Sequence, residues 1–129
     1  MDFRDREYSR IKRFVLSFRF AFEGIVYLLK KEQNFRIHLL VGTAVLILGF
    51  LLGLSAVKMA ILFLVIGIVL SLEAMNTGIE RVVDLVTEEY HPLAKKAKDV
   101  SAAAVLIFSF AAAGIGFLFF FWPLVNLLF

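Results

Sequence analysis

Residues 39–57, 59–72 and 100–121 carry no charged side chain, while the segments around them alternate between apolar and polar positions. The first run is long enough for a helix to cross a bilayer, which takes about 20 residues at 1.5 Å each. The second is shorter and becomes a full span with the amphipathic turns that follow it. The third again has the length of a span. Ahead of them, Ile11, Phe14, Val15, Phe18, Phe22, Ile25, Val26 and Leu29 recur at helical spacing, with Arg10, Lys12, Arg13 and Arg19 on other faces. That pattern predicts an amphipathic helix over 8–30, apolar side toward the bilayer and basic residues toward the headgroups. Packing of the same helix against a bundle is the competing reading. The expected fold is therefore an all-α integral membrane protein. It forms one domain over 1–129, with a surface helix at 8–30 and transmembrane helices at 37–56, 58–86 and 95–121.

The breaks between these elements have their own chemistry. Residues 1–7 read as a charged, frayed end. KKEQNFRIH, residues 30–38, reads as a polar link at the membrane edge. It holds Glu32 and ends on His38, which suits interfacial hydrogen bonding better than metal ligation. Gly42, Gly49 and Gly53 in the first span suit close helix contact. Leu54, Ser55 and Ala56 form a short turn, with Lys58 snorkelling at its edge. His91-Pro92 breaks the chain after the second long helix, because the residue before proline is driven out of the helical region. Small residues at 101–104 and 111–114 suit close packing in the third span, and Trp122 anchors its far end at the interface. The phenylalanines of 117–121 suit contact with lipid.

Composition agrees with a membrane chain: 129 residues, 61% hydrophobic, mean hydropathy +0.89. Cysteine is absent, which excludes a disulfide framework and any Cys-ligated metal. No cleavable signal peptide is evident at the charged N-terminus. The net charge is +3, and its distribution matters more. Arg4, Arg6, Arg10, Lys12, Arg13, Arg19, Lys30, Lys31 and Arg36 precede the first span, and Arg81, Lys95, Lys96 and Lys98 lie near the second connection. Only Lys58 lies between the first two spans, and no basic residue follows Lys98. The positive-inside rule then puts the N-terminus and the second connection of this multi-pass chain in the cytoplasm and the C-terminus outside. The basic residues flank spans and form no separate domain, which argues against a nucleic-acid partner.

Candidate chemistry concentrates in LEAMNTGIERVVD, residues 72–84. Glu73, Asn76, Glu80 and Asp84 fall within about 80° of one another on a helix. From Met59 the helix descends about 22 Å to Glu73, so Glu73 lies in the inner leaflet and Glu80 and Asp84 near the headgroups. Carboxylates at that level need pairing, water or a metal. Glu73, the deepest, suits a general base acting on a lipid hydroxyl. Glu80, with Glu32 from the preceding segment, suits Mg²⁺, which takes hard oxygen ligands and keeps phosphate oxygens and waters. Asn76 can orient a carboxylate or a phosphate oxygen, and Lys98, at the same level, can pair with phosphate. These parts describe phosphoryl transfer at an interface. The chain lacks GxxxxGK[ST] and the soluble-kinase motifs, so any kinase here has an unrelated fold. Two other readings stay open, an ion or proton path and a polar device for subunit assembly. Charged groups are absent from the outer halves of the spans apart from Lys58, which favours one-sided chemistry over a path. Three helices give little shelter to buried acids, so a homo-oligomer with sites between subunits is expected.

EAMNTGIERVVD (residues 73–84), EYHPLAKKAKDVSAAAVL (89–106) and KEQNFRIHLL (31–40) together resemble the small prokaryotic diacylglycerol kinase family, and the likeness covers nearly the whole chain. The NFRIH segment and the HPLAKKAKD linker look most like its Gram-positive branch, whose members are typically undecaprenol kinases. The resemblance implies a homotrimer of the bacterial plasma membrane that uses ATP and Mg²⁺ to phosphorylate a membrane lipid alcohol at the cytoplasmic face. It implies Glu73 as catalytic base and Asn76 as its essential polar partner. It implies Glu32 and Glu80 as metal ligands around the nucleotide phosphates, and Lys98 and Asp99 as nucleotide contacts. Arg13 becomes a phosphate contact from the surface helix, Ser17 a further site residue, and Asp84 a structural or nucleotide-side group. Diacylglycerol is the alternative lipid, and the apolar residues that would choose between the two carry no sequence signature.

Overall fold

The computed structural model describes residues 9–128, and the charged end at 1–7, with Arg4 and Arg6, lies outside them, as does Tyr8. Four helices account for nearly all described residues: α1 (Arg10–Lys31), α2 (Gln33–Leu51), α3 (Ala56–Val86) and α4 (Pro92–Leu128). The chain forms two compact units, one ending at Gln33 and the other beginning at Asn34.

In the first unit, Ser9 caps α1. Its side chain accepts from the Lys12 N–H at 3.4 Å, satisfying one of the helix's orphan donors. Lys30 and Lys31 occupy the last turn, where positive charge complements the helix dipole. Ile11, Phe14, Phe18 and Phe22 are largely exposed, and Phe14 and Phe18 meet edge to face at 5.1 Å. The helix stops at Glu32, whose backbone is extended (φ −103°, ψ 112°) and whose N–H donates to the Leu28 carbonyl.

The polar segment expected as a link at 30–38 is helical except for Glu32, and α2 starts at Gln33 rather than 37. The segment contains no glycine or proline, and its polar side chains do not interrupt backbone hydrogen bonding. At its far end α2 closes on Gly53, the one positive-φ glycine among the described residues (φ 67°). Gly53 N–H donates to the Phe50 carbonyl and Leu54 N–H to the Gly49 carbonyl, which makes a complete Schellman motif. Gly53 thus ends the helix and does not mediate helix contact, and α2 stops at Leu51, short of the expected 56. Ser55 then caps α3 by accepting from the Lys58 N–H.

α3 runs 31 residues to Val86, where Thr87 is extended. His91 caps α4: its Nδ1 accepts from the Leu93 N–H at 3.2 Å and its carbonyl accepts from Lys95 N–H. Pro92 therefore opens the helix three residues before the expected start at 95, at the one helical position where a missing N–H costs nothing. α4 continues through Trp122 and Pro123 to Leu128, beyond the expected end at 121.

Within the second unit α3 and α4 are the main packed pair. α3 contributes a buried stripe of Leu62, Val65, Val69, Glu73, Asn76 and Thr77, which changes from apolar to polar between Val69 and Glu73. α4 answers with Ser101, Val105 and Phe120. α2 approaches through glycines. A Cβ on Gly42 would lie 2.6 Å from Ile66 Cγ2, and one on Gly49 would lie 2.9 Å from Met59 Sδ. α2, α3 and α4 are each long and apolar enough to cross a membrane. At most 22% of each apolar window is buried within the chain, so most of the apolar surface is left for lipid or other subunits.

Candidate functional site

Four of the candidate side chains lie on α3 where its buried stripe turns polar and beyond it. Glu73 is 4% exposed and sits one turn beyond Val69. Asn76 and Thr77, one turn further, are also buried, and Glu80 is half-buried. The Asn76 amide is held at both ends. Its Nδ2 donates to Glu80 Oε1 at 3.1 Å, and its Oδ1 accepts from the Ser101 hydroxyl of α4 at 2.6 Å. Ser101 Oγ also lies 2.9 Å from the Lys98 carbonyl.

A half-exposed layer of charge follows. Lys98 Nζ of α4 pairs with Asp84 of α3, joining the two helices. Arg81 approaches the same carboxylate at 3.9 Å. Lys95 pairs with Asp99 one turn along α4. Among the expected nucleotide contacts, Lys98 therefore has a carboxylate partner on α3 and Asp99 an ammonium partner on its own helix. The charges of these pairs nearly cancel, and their side chains are more than a third exposed.

The remaining expected site residues belong to the first unit. Arg13 and Ser17 share one turn of α1, where the Ser17 hydroxyl donates to the Arg13 carbonyl at 2.9 Å. Both side chains are exposed, and Glu32 is the single extended residue between α1 and α2.

One participant was hidden in the sequence. Ser101 opens a run of small residues and reads there as packing, yet it is the α4 partner of Asn76. The available signal was its spacing from Lys98, three residues along one face of α4.

On the apolar side of the site, α2, α3 and α4 enclose an open crevice of about 720 Å³, lined by Gly42, Leu62, Val69 and Phe120 among others. His38 and Ser109 contribute its few polar atoms, and Ser109 Oγ is buried without a hydrogen-bond partner.

The donor set fits Mg²⁺ in the manner of a nucleotide-borne ion. Glu80 offers carboxylate oxygen in a half-buried position beside Asn76. Among the described residues no three Asp, Glu or His side chains converge into a dedicated cage. A partial protein shell suits an ion that keeps phosphate oxygens and waters.

The sequence profile of the prokaryotic diacylglycerol kinase family matches residues 19–120. That stretch holds every candidate site residue except Arg13 and Ser17. The undecaprenol kinase of Bacillus subtilis is 46% identical over 120 residues, covering 93% of this chain and 97% of the relative. The diacylglycerol kinase of Synechocystis is 44% identical over 115 residues, covering 88% of this chain and 66% of the relative. The diacylglycerol kinase of Pseudomonas aeruginosa is 32% identical over 97 residues, covering 75% and 79%.

Proposed function

Since the chain belongs to the prokaryotic diacylglycerol kinase family and is a lipid kinase, we propose that the alcohol it phosphorylates is undecaprenol, with ATP as donor and undecaprenyl phosphate as product. The observation that carries the site is the buried Glu73, one turn from Val69 on the stripe where α3 turns polar. A lipid hydroxyl reaches that depth while its chain stays among apolar side chains, and a water-soluble acceptor does not. The substrate choice is supported by the likeness to the Bacillus enzyme along almost its entire length. Diacylglycerol, named for the other relatives, is the alternative.

In this reading Glu73 accepts the proton of the lipid hydroxyl as its oxygen forms a bond to the γ-phosphorus of ATP. The bond from that phosphorus to the bridging oxygen breaks, and ADP leaves. Asn76 orients the Glu80 carboxylate, and Lys98 exchanges Asp84 for phosphate oxygens. Asp99, Arg13 and Ser17 serve the nucleotide. Glu80 and Glu32 are the residues that would hold Mg²⁺, which would supply positive charge against the developing charge of the phosphoryl transfer.

The surrounding architecture belongs to the same reading. α1 lies as an amphipathic helix on the cytoplasmic surface. The N-terminus and the α3–α4 connection are cytoplasmic, and the C-terminus is outside. Three chains assemble with sites between subunits, covering the apolar faces that a single chain leaves open.

The deciding experiment offers undecaprenol and diacylglycerol in parallel, at equal mole fraction in mixed micelles, with radiolabelled ATP. Preferential labelling of undecaprenol is expected. Preferential labelling of diacylglycerol overturns the substrate assignment and leaves the kinase assignment standing.

A further inference from the structure

We infer that Ser101 is a positioning residue for phosphoryl transfer: it fixes the orientation of the Asn76 amide and, through it, the Glu80 carboxylate. The inference rests on the reading of Glu80 as a metal-side ligand.

An asparagine amide has two ends of opposite character, one accepting and one donating. In the observed orientation Oδ1 accepts from Ser101 and Nδ2 donates to Glu80. Rotation by half a turn would put the amide carbonyl against the Glu80 carboxylate, two acceptors facing each other. The Glu80 carboxylate, which only accepts, selects the donating end of the amide, and the buried Ser101 hydroxyl, donating to Oδ1, holds the other end in place. Its proton has a choice of two acceptors, Asn76 Oδ1 at 2.6 Å and the Lys98 carbonyl at 2.9 Å. The shorter contact is to the amide. The Lys98 carbonyl belongs to the residue whose ammonium pairs with Asp84, so one serine links the amide, the carboxylate and the lysine backbone at the site.

Glu80 Oε1 accepts from Asn76, and the remaining acceptor capacity of the carboxylate, Oε2 included, is what a cation would use. A carboxylate held through one oxygen presents the other in a defined direction, and preorganised ligands bind without the cost of ordering on arrival. Removing the Ser101 hydroxyl releases the amide, and the carboxylate loses its fixed direction without losing its charge. The expected defect is thus in metal–nucleotide affinity, with assembly intact.

The test uses the assembled full-length protein in detergent. Binding of Mn²⁺ with a non-hydrolysable ATP analogue is followed by the loss of free Mn²⁺ signal in electron paramagnetic resonance. Ser101→Ala is expected to weaken this binding about fivefold to tenfold. Ser101→Thr, which keeps the hydroxyl, is expected to restore it to within about twofold. Glu80→Gln is expected to weaken it, with Ser101→Ala adding little in that background because the two act along one path. Wild-type affinity in Ser101→Ala, alongside weakened binding in Glu80→Gln, overturns the positioning role and spares the assignment of Glu80. Unchanged affinity in Glu80→Gln overturns that assignment and the inference with it. A lowered melting temperature in Ser101→Ala with unchanged affinity assigns the serine to packing and also overturns the inference.

Discussion

A carboxylate that shares a buried stripe with three apolar side chains and lies one turn from a valine has few roles in a membrane protein. Its desolvation is unfavourable and has to be offset by hydrogen bonding, pairing or a role in the site. Glu73→Gln keeps the shape and the burial but removes the proton acceptor. It should lower phosphoryl transfer by about 10²–10⁴-fold, measured with radiolabelled ATP, while size-exclusion chromatography and nucleotide binding stay near wild type. Loss of assembly in this variant would make Glu73 structural. The pair of Lys98 and Asp84 is different, because both side chains are more than a third exposed. Such a pair stabilises by no more than about 1 kcal/mol. Asp84→Asn should therefore shift the melting temperature by only a few degrees, whereas Lys98→Ala should raise the KM for ATP several-fold. Equal KM values in the two variants would remove Lys98 from the nucleotide site.

Among elements, the contact of α2 with α3 depends on what stands opposite each glycine. Opposite Gly42 is Cγ2 of Ile66, a β-branched side chain with a stiff χ1 in a helix. Opposite Gly49 is the flexible thioether of Met59. Alanine in place of glycine gains up to about 1 kcal/mol in helix propensity, and a forced shift of packed groups costs about 1–3 kcal/mol. Gly49→Ala should thus be close to neutral in thermal unfolding in detergent, and Gly42→Ala clearly destabilising. Ile66→Ala should relieve the second, and equal losses at both glycines would contradict this account. The three apolar helices and the face shared by Glu73, Asn76, Glu80 and Asp84 were legible in the sequence, because hydropathy and helical period are local properties. The continuation of helix through residues 33–38 was not, since polarity suggests a link where backbone geometry needs none. Ser101 shares a face of α4 with Lys98, but its contact with Asn76 and the Lys98–Asp84 pair were out of reach. They join positions 25 and 14 residues apart across two helices, and no local pattern records which turns of α3 and α4 come level.

For the whole molecule, topology and assembly are open to direct measurement because the chain contains no cysteine. Single cysteines at Ser55 and Glu89 would then be the only reactive thiols in their variants. A membrane-impermeant maleimide added to intact cells should label Ser55→Cys, and label Glu89→Cys only after the membrane is opened. The reverse pattern would invert the topology. Cross-linking in mild detergent should yield species up to three chains and none larger.

The stripe on α3 passes from Val69 to Glu73 within a single turn, about 6 Å along the helix axis. That short interval makes the helix a depth gauge. With Glu73 as the proposed base, a bilayer whose hydrocarbon core is too thick would draw it away from the water-borne nucleotide, and one that is too thin would draw apolar side chains into the headgroups. Tilting absorbs part of such a mismatch, but only by rotating the acceptor site against the membrane plane. Turnover in bilayers of increasing acyl-chain length should therefore pass through a maximum, so that membrane thickness acts as a control on catalysis alongside substrate supply.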